Sequence, residues 1–256
     1  MSSDATQARY EDAEVVDFYA RHADLQEAER ALFETYATPG LDVLDLGVGG
    51  GRTTPRLARA ARSYVGVDYS EPMVARCRAA FPHLRFEHRD ATRLDAFAEA
   101  SFDLAVFSFN GLDSIPTLDG RHACLRECAR VLRPGGVLIV SVHNARYLFF
   151  PPVFAGARSF AHRARRALYA GLRSLQLLAS RLPSRAFRAG AGYARDPATH
   201  GGLVTWIATR ERQCDELRAF GFEVERVLQA PSPDVTWPWA VAWYYYACRK
   251  AGERAP

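Results

Sequence analysis

Five apolar runs punctuate the first 145 residues, at Leu41–Leu46, Ser63–Val67, Leu84–His88, Phe102–Phe107 and Val137–Val142. Runs this short, spaced by segments with helical periodicity at Pro55–Ala61, Glu71–Phe81 and Arg121–Leu132, predict strands alternating with helices. That alternation specifies a parallel sheet with right-handed crossovers and helices on both faces. The strand C-termini then share one edge, where ligands of such sheets bind. Thr54 with Pro55, and Ser70 with Pro72, supply a cap residue followed by proline in the first helical turn. Arg133-Pro134-Gly135-Gly136 ends the third helix and leads into the fifth strand.

The last part of the chain changes rhythm. Glu211–Phe220 reads as a helix stopped by Gly221, Phe222–Leu228 as a strand, and Val241–Arg249 as another strand after a proline-rich loop. These elements would complete the sheet with an antiparallel edge pair, leaving 146–208 as an insertion. Within it, Phe160, Ala164, Leu168, Leu172, Leu175, Leu178 and Leu182 recur at helical spacing, with Arg163, Arg165, Arg166, Arg173 and Arg181 between them.

The chemistry starts where the first strand ends, in Asp45-Leu46-Gly47-Val48-Gly49-Gly50-Gly51-Arg52. Glycines at alternate positions open backbone conformations closed to other residues and let a ligand lie against the main chain. The dinucleotide fingerprint G-x-G-x-x-G fails at its third glycine, where Arg52 stands. D-x-G-x-G-x-G fits instead. Asp68 ends the second strand in Tyr64-Val65-Gly66-Val67-Asp68-Tyr69-Ser70, about 20 residues after the loop, where a carboxylate can receive ribose hydroxyls. Asp90-Ala91 follows the third strand.

These motifs, with Glu127-Cys128-Ala129-Arg130-Val131-Leu132-Arg133-Pro134-Gly135-Gly136 ahead of the fifth strand, resemble those of the class I S-adenosylmethionine-dependent methyltransferases over about residues 40–144. The resemblance implies a seven-stranded, mostly parallel Rossmann-like sheet with an antiparallel C-terminal edge strand and a helical insertion. It divides the chain into an N-terminal helical lid (1–39), a cofactor-binding core (40–145), a basic acceptor cap (146–208) and a closing segment (209–256). It implies S-adenosyl-L-methionine as cofactor, held by Asp45, Gly47, Gly49, Gly51 and Arg52, by Asp68 at the ribose, and by Asp90 and Ala91 at the adenine flanked by Tyr69 and Met73. Phe107 and Asn110 are further expected contacts at the fourth strand, and Tyr19, beside Phe18, is a lid residue. Ser108-Phe109-Asn110-Gly111-Leu112-Asp113 lacks the N-P-P-Y or D-P-P-Y tetrapeptide of enzymes that methylate nucleic-acid amino groups, which leaves oxygen, carbon or other nitrogen acceptors.

Methyl transfer to a hydroxyl requires alignment and removal of a proton. His143, after the fifth strand, Asp113 and His200 are the candidate bases; a histidine at His143 also suits a purely structural hydrogen bond. The expected function is methylation of a small-molecule or lipid-linked acceptor, most readily at oxygen. A tRNA methyltransferase and a non-catalytic S-adenosylmethionine-binding partner are the alternatives, and an NAD-dependent oxidoreductase is disfavoured by Arg52.

Charge singles out the insertion. Residues 146–195 hold ten arginines and no acidic residue, although the whole chain is only +4 and has a single lysine, Lys250. The amphipathic segment suits a cap on the core, a helix on an anionic membrane through 158–188, or contact with phosphates. With no run of about 18 apolar residues and a polar N-terminus, the expectation is a cytoplasmic protein, peripheral to the membrane if the helix serves there. The five cysteines lack zinc spacing, so Cys124 and Cys128 are expected in the core and no metal is expected.

Overall fold

The computed structural model describes residues 24–150, 159–195, 204–230 and 236–252, together with Asp12 and Val15. Helix α1 (Glu27–Tyr36) precedes β1 (Leu41–Leu46); α2 (Thr54–Ala60), β2 (Ala61–Asp68), α3 (Glu71–Ala80), β3 (Arg85–His88), β4 (Phe102–Phe107), α4 (Leu118–Val131) and β5 (Leu132–Asn144) follow. The remainder is α5 (Phe160–Arg181), α6 (Arg185–Ala189), β6 (Ala191–Arg195), β7 (Val204–Ala208), α7 (Arg210–Ala219), β8 (Phe222–Ala230) and β9 (Trp243–Lys250).

β3, β2, β1, β4 and β5 lie side by side and parallel. β9 runs antiparallel along β5, and β8 antiparallel along β9. The fold class is the expected one, with a difference in placement. The antiparallel strand is not at the edge but one place in, so the outermost strand β8 again points the same way as β1 to β5.

Each buried strand divides its side chains between two cores. In β5, Leu138, Val140 and Val142 join Leu125 of α4 and Leu217 of α7 on one face, while Val137 and Ile139 join Leu32 of α1 and Leu57 of α2 on the other. The period-two direction of side chains thus serves both layers at once, and explains why the strands read as continuous apolar runs. Cys124 and Cys128 belong to the first core, and all five cysteines are free and buried.

The insertion departs from the helical expectation. Besides α5 and α6 it contributes the antiparallel hairpin β6–β7, and β7 pairs with the end of β5 through His143–Ile207 and Asn144–Ala208. β9 holds one edge of β5 as far as His143, whereas β4 leaves the other edge at Val140. β7 therefore continues the sheet beyond the end of β4, on the side where the strand C-termini gather. The amphipathic pattern of α5 is real, but its leucine face is turned outward; the helix packs through Ala170, Leu177 and Arg181 instead.

Helix starts divide by location. Thr117, Ser159, Ser184 and Thr209 cap α4, α5, α6 and α7 with their hydroxyls. The expected caps at Thr54 and Ser70 do not form. Both α2 and α3 begin at the ligand edge, where Thr53 bonds Asp45, Thr54 meets the Tyr64 hydroxyl and Ser70 presents its amide to Asp68.

Candidate active site

The glycine loop takes its shape from three left-handed residues, Gly47 (φ +59°), Gly49 (φ +55°) and Gly51 (φ +85°). Steric need reinforces conformational need at two of them. A Cβ on Gly47 would sit 2.5 Å from the Phe107 ring, and one on Gly51 2.8 Å from the Phe81 ring. Phe107, an expected cofactor contact, thus supports the loop as well as lining the cleft above it.

That cleft opens at the strand C-termini, the edge where ligands of such sheets bind. Asp45, Gly47, Gly49, Arg52, Asp68, Tyr69, Met73, Ala91 and Phe107 all line it. Asp68 is buried, and its two carboxylate oxygens accept the amides of Gly49 at 2.8 Å and Ser70 at 2.9 Å. Burial pushes its carboxyl upward against those two amides. Asp45 accepts the hydroxyls of Thr53 at 2.6 Å and Tyr64 at 2.8 Å, and burial raises it to about 6. Cys77 donates to the Gly49 carbonyl, its thiol pushed up to about 12 by burial.

Asp90 is the exception among the three acids. It is exposed, lies outside the cleft lining, and closes a turn by accepting the Thr92 amide at 2.8 Å. That local bond engages one carboxylate oxygen in a turn, with no helix start at that position, and it competes with the expected adenine contact.

Arg52 has a partner that its sequence context did not reveal. Its guanidinium grips the buried Glu29 of α1 at 2.5 and 2.6 Å and lies 4.7 Å from the Phe109 ring centre. Glu29 also receives the Ser108 hydroxyl. The pair therefore clamps the N-terminal helix, the glycine loop and the end of β4 together beside the cleft. Glu29 carried one signal in the chain, its place three residues after Gln26 in a capping box, but nothing there pointed to Arg52.

On the acceptor side, β4 ends in two consecutive left-handed residues, Phe109 (φ +52°) and Asn110 (φ +63°). Non-glycine residues in this region cost energy that the surroundings must offset. Here Ser141 of β5 holds the Asn110 amide at 2.6 Å. The next turn delivers Asp113 to His143: Asp113 Oδ2 accepts the His143 backbone amide at 2.7 Å and lies 2.8 Å from Nδ1. Nδ1 then carries the proton and Nε2 the lone pair, toward which the Asn110 amide points from 3.3 Å. Among the described residues Asn110 Oδ1 is buried with no partner, an acceptor that fits a bound ligand.

Asp113 is fully buried and its second oxygen is held by Arg121 at 3.0 Å. It has no access to an acceptor, so the expectation of Asp113 as a direct base is corrected to that of an orienting carboxylate. Arg121, also fully buried, extends the network to Gln213 and Glu216 of α7 and packs 4.9 Å from the Trp206 ring of β7. Neither Arg121 nor Glu216 stood out in the sequence. His200 and Tyr19 lie outside the described residues. No group of three or more His, Cys, Asp or Glu among the described residues is placed to hold a metal ion.

A glycine loop over a parallel sheet, with a buried acid across from it, suits a nucleoside bearing a flexible tail. Residues 43–136, from β1 into β5, match the family model described as Methyltransferase domain. The chain carries a class I, Rossmann-like methyltransferase domain whose cofactor is S-adenosylmethionine, and the open glycine backbone, the Asp68 carboxylate and the Tyr69–Met73 wall fit that molecule. It is 42% identical over 105 residues to a demethylmenaquinone methyltransferase of Beutenbergia cavernae, covering 41% of this chain and 42% of that one. The chain thus spans less than half the length of that curated relative. A ubiquinone biosynthesis O-methyltransferase of Xanthomonas campestris is 27% identical over 191 residues, 73% of this chain and 69% of that one. The 1,6-didemethyltoxoflavin-N1-methyltransferase of Burkholderia thailandensis, solved with bound 1,6-didemethyltoxoflavin and S-adenosylhomocysteine, superposes with a TM-score of 0.62 at 19% identity, covering 98% and 91% of the two chains, and shares the fold.

Proposed function

We propose that the protein methylates an oxygen atom of a small-molecule or lipid-linked acceptor, with His143 as general base. The observation that carries this reading is the His143–Asp113 pair, which leaves on Nε2 a lone pair met by the long Asn110 amide contact alone, a neutral donor that an acceptor hydroxyl can displace. When bound, S-adenosylmethionine supplies a methyl group from a sulfonium, whose sulfur leaves as a neutral thioether. The chain's own work is then to align a hydroxyl and take its proton. His143 Nε2 receives that proton as the oxygen–carbon bond forms, and the buried Asp113 carboxylate stabilises the resulting imidazolium. Asp68 and the glycine backbone hold the nucleoside, while β7 and the segment after β5 close the acceptor side.

Oxygen is supported by the Xanthomonas relative's name, which refers to ubiquinone biosynthesis, while the Beutenbergia relative is named for demethylmenaquinone. The arginine-rich insertion favours one other reading, a tRNA substrate. Incubating the protein with radiolabelled S-adenosylmethionine and cell extract, then separating lipids, RNA, protein and small molecules, distinguishes them. Label in the lipid or small-molecule fraction is expected. Label in RNA would replace the proposal with the tRNA reading, and cofactor binding without any labelled product would point to a non-catalytic partner.

A further inference from the structure

We infer that α5 is a membrane-docking helix that lies flat on an anionic lipid surface and sets the acceptor side of the cleft against the bilayer. The helix is fastened along one side only. Ala170, Leu177 and Arg181 are buried, the Ser174 hydroxyl accepts the Phe150 amide at 2.9 Å, and the Arg181 guanidinium donates to the Asn144 carbonyl at 2.5 Å. Its other side carries Phe160, Leu168, Leu172, Leu175 and Leu182, which are 86, 64, 53, 63 and 47% exposed. Spacings of three, four and seven residues keep these leucines on one stripe of a 3.6-residue helix. A stripe of large apolar side chains left in water marks a surface built for contact.

The chemistry of the surroundings selects the partner. The exposed Arg165 and the half-buried Arg173 belong to the same helix, within a segment of ten arginines and no acid. A second copy of so basic a surface would be repelled, whereas anionic headgroups are attracted to it while acyl chains take the leucines. Aromatic residues extend the contact: the Phe149 ring centre lies 5.5 Å from that of the exposed Trp237, and Tyr169 packs edge-on against Phe150. Such side chains favour the boundary between hydrocarbon and water. No helix among the described residues is long and apolar enough to cross a membrane, so the contact is peripheral.

Arg181 gives the contact a functional direction, because the carbonyl it holds belongs to the residue after His143. The corollary that the acceptor arrives from the lipid phase rests on the methyl-transfer reading; the docking itself does not.

The test is flotation of the full chain, without cofactor, on phosphatidylcholine vesicles with and without phosphatidylglycerol. Binding is expected only to the anionic vesicles and should weaken as salt screens the arginines. The triple variant Leu168→Ser, Leu172→Ser, Leu175→Ser should bind at least about tenfold more weakly, the order expected from losing one buried apolar side chain. Unchanged circular dichroism and S-adenosylmethionine titration show that this variant is folded. Arg165→Gln should bind anionic vesicles more weakly than wild type. Wild-type protein that ignores anionic vesicles, that binds both compositions equally, or that is indistinguishable from the triple variant overturns the inference. So does leucine-dependent dimerisation without vesicle binding, which would assign the stripe to a second copy. None of these failures bears on methyl transfer, which is read from labelled product.

Discussion

His143 and Asp113, 30 residues apart, are joined twice: one carboxylate oxygen faces both the backbone amide and the ring Nδ1 of the histidine. The double contact fixes the position and the tautomer of the imidazole together. His143→Ala should therefore lower kcat by about a hundredfold to ten-thousandfold, the range of general-base catalysis. Cofactor affinity should be unaffected, as read by calorimetric titration. Asp113→Asn keeps the shape and removes the charge that stabilises the imidazolium. A His143→Ala enzyme with wild-type kcat would remove the base.

Arg121 stands behind that pair. It is fully buried between Asp113 and Glu216, and removing one member of a buried ionic network leaves uncompensated charge. Arg121→Met should cost about 3–5 kcal/mol of stability in denaturant titration. A loss below about 1 kcal/mol, the range of surface pairs, would show that the network carries little.

Asp68 organises the cofactor end by holding the amides of Gly49 and Ser70. In Asp68→Ala both amides lose their acceptor and the ribose its carboxylate. S-adenosylmethionine affinity should fall by at least about a hundredfold, since charge-assisted hydrogen bonds contribute about 1.5–3 kcal/mol each. Wild-type affinity in this variant would refute the ribose contact.

Gly47 and Gly135 separate conformational strain from collision. Both have positive φ, but a Cβ at Gly47 meets Phe107 at 2.5 Å while one at Gly135 meets nothing within 4 Å. Gly135→Ala should cost only the left-handed penalty of about 1–2 kcal/mol. Gly47→Ala should add an overpacking cost of about 1–3 kcal/mol and lower the melting temperature further. Equal losses would mean that Phe107 moves aside freely.

Asp45 predicts a pH dependence. Burial raises its carboxyl from the ordinary 3.8 to about 6, so between those values the folded chain holds a proton that the unfolded chain has lost. Stability from this group therefore declines as pH rises through that window, by about 3 kcal/mol in all. Asp45→Asn, neutral throughout, should be more stable than wild type above pH 6, and the gap should close below pH 4. Unfolding in denaturant at several pH values checks this; a variant less stable at neutral pH would show that the ionised carboxylate is stabilised in the fold.

What could be read along the chain was what depends on near neighbours. The Gly47–Gly51 loop and Asp68 belong to local turns whose residue types are dictated by backbone geometry. The periodicity of α5 was equally legible, but its orientation was not, because the pattern says which residues share a stripe and not which side meets the core. Asp90 was legible only as an acid at a strand end, because an aspartate there serves a turn as readily as a ligand. Strands β6 and β7 are five residues each, too short and mixed to show a period.

Sequence alone determined the parallel strands, the loop and the methyl donor, since each rests on patterns within one strand, one turn or one crossover. Tertiary structure decided the partnerships: Glu29 with Arg52 across 23 residues, Arg121 with Glu216 across 95, and Asp113 under His143 rather than exposed to an acceptor. Buried charges must find partners wherever the fold brings them together, and separation along the chain carries no trace of that meeting.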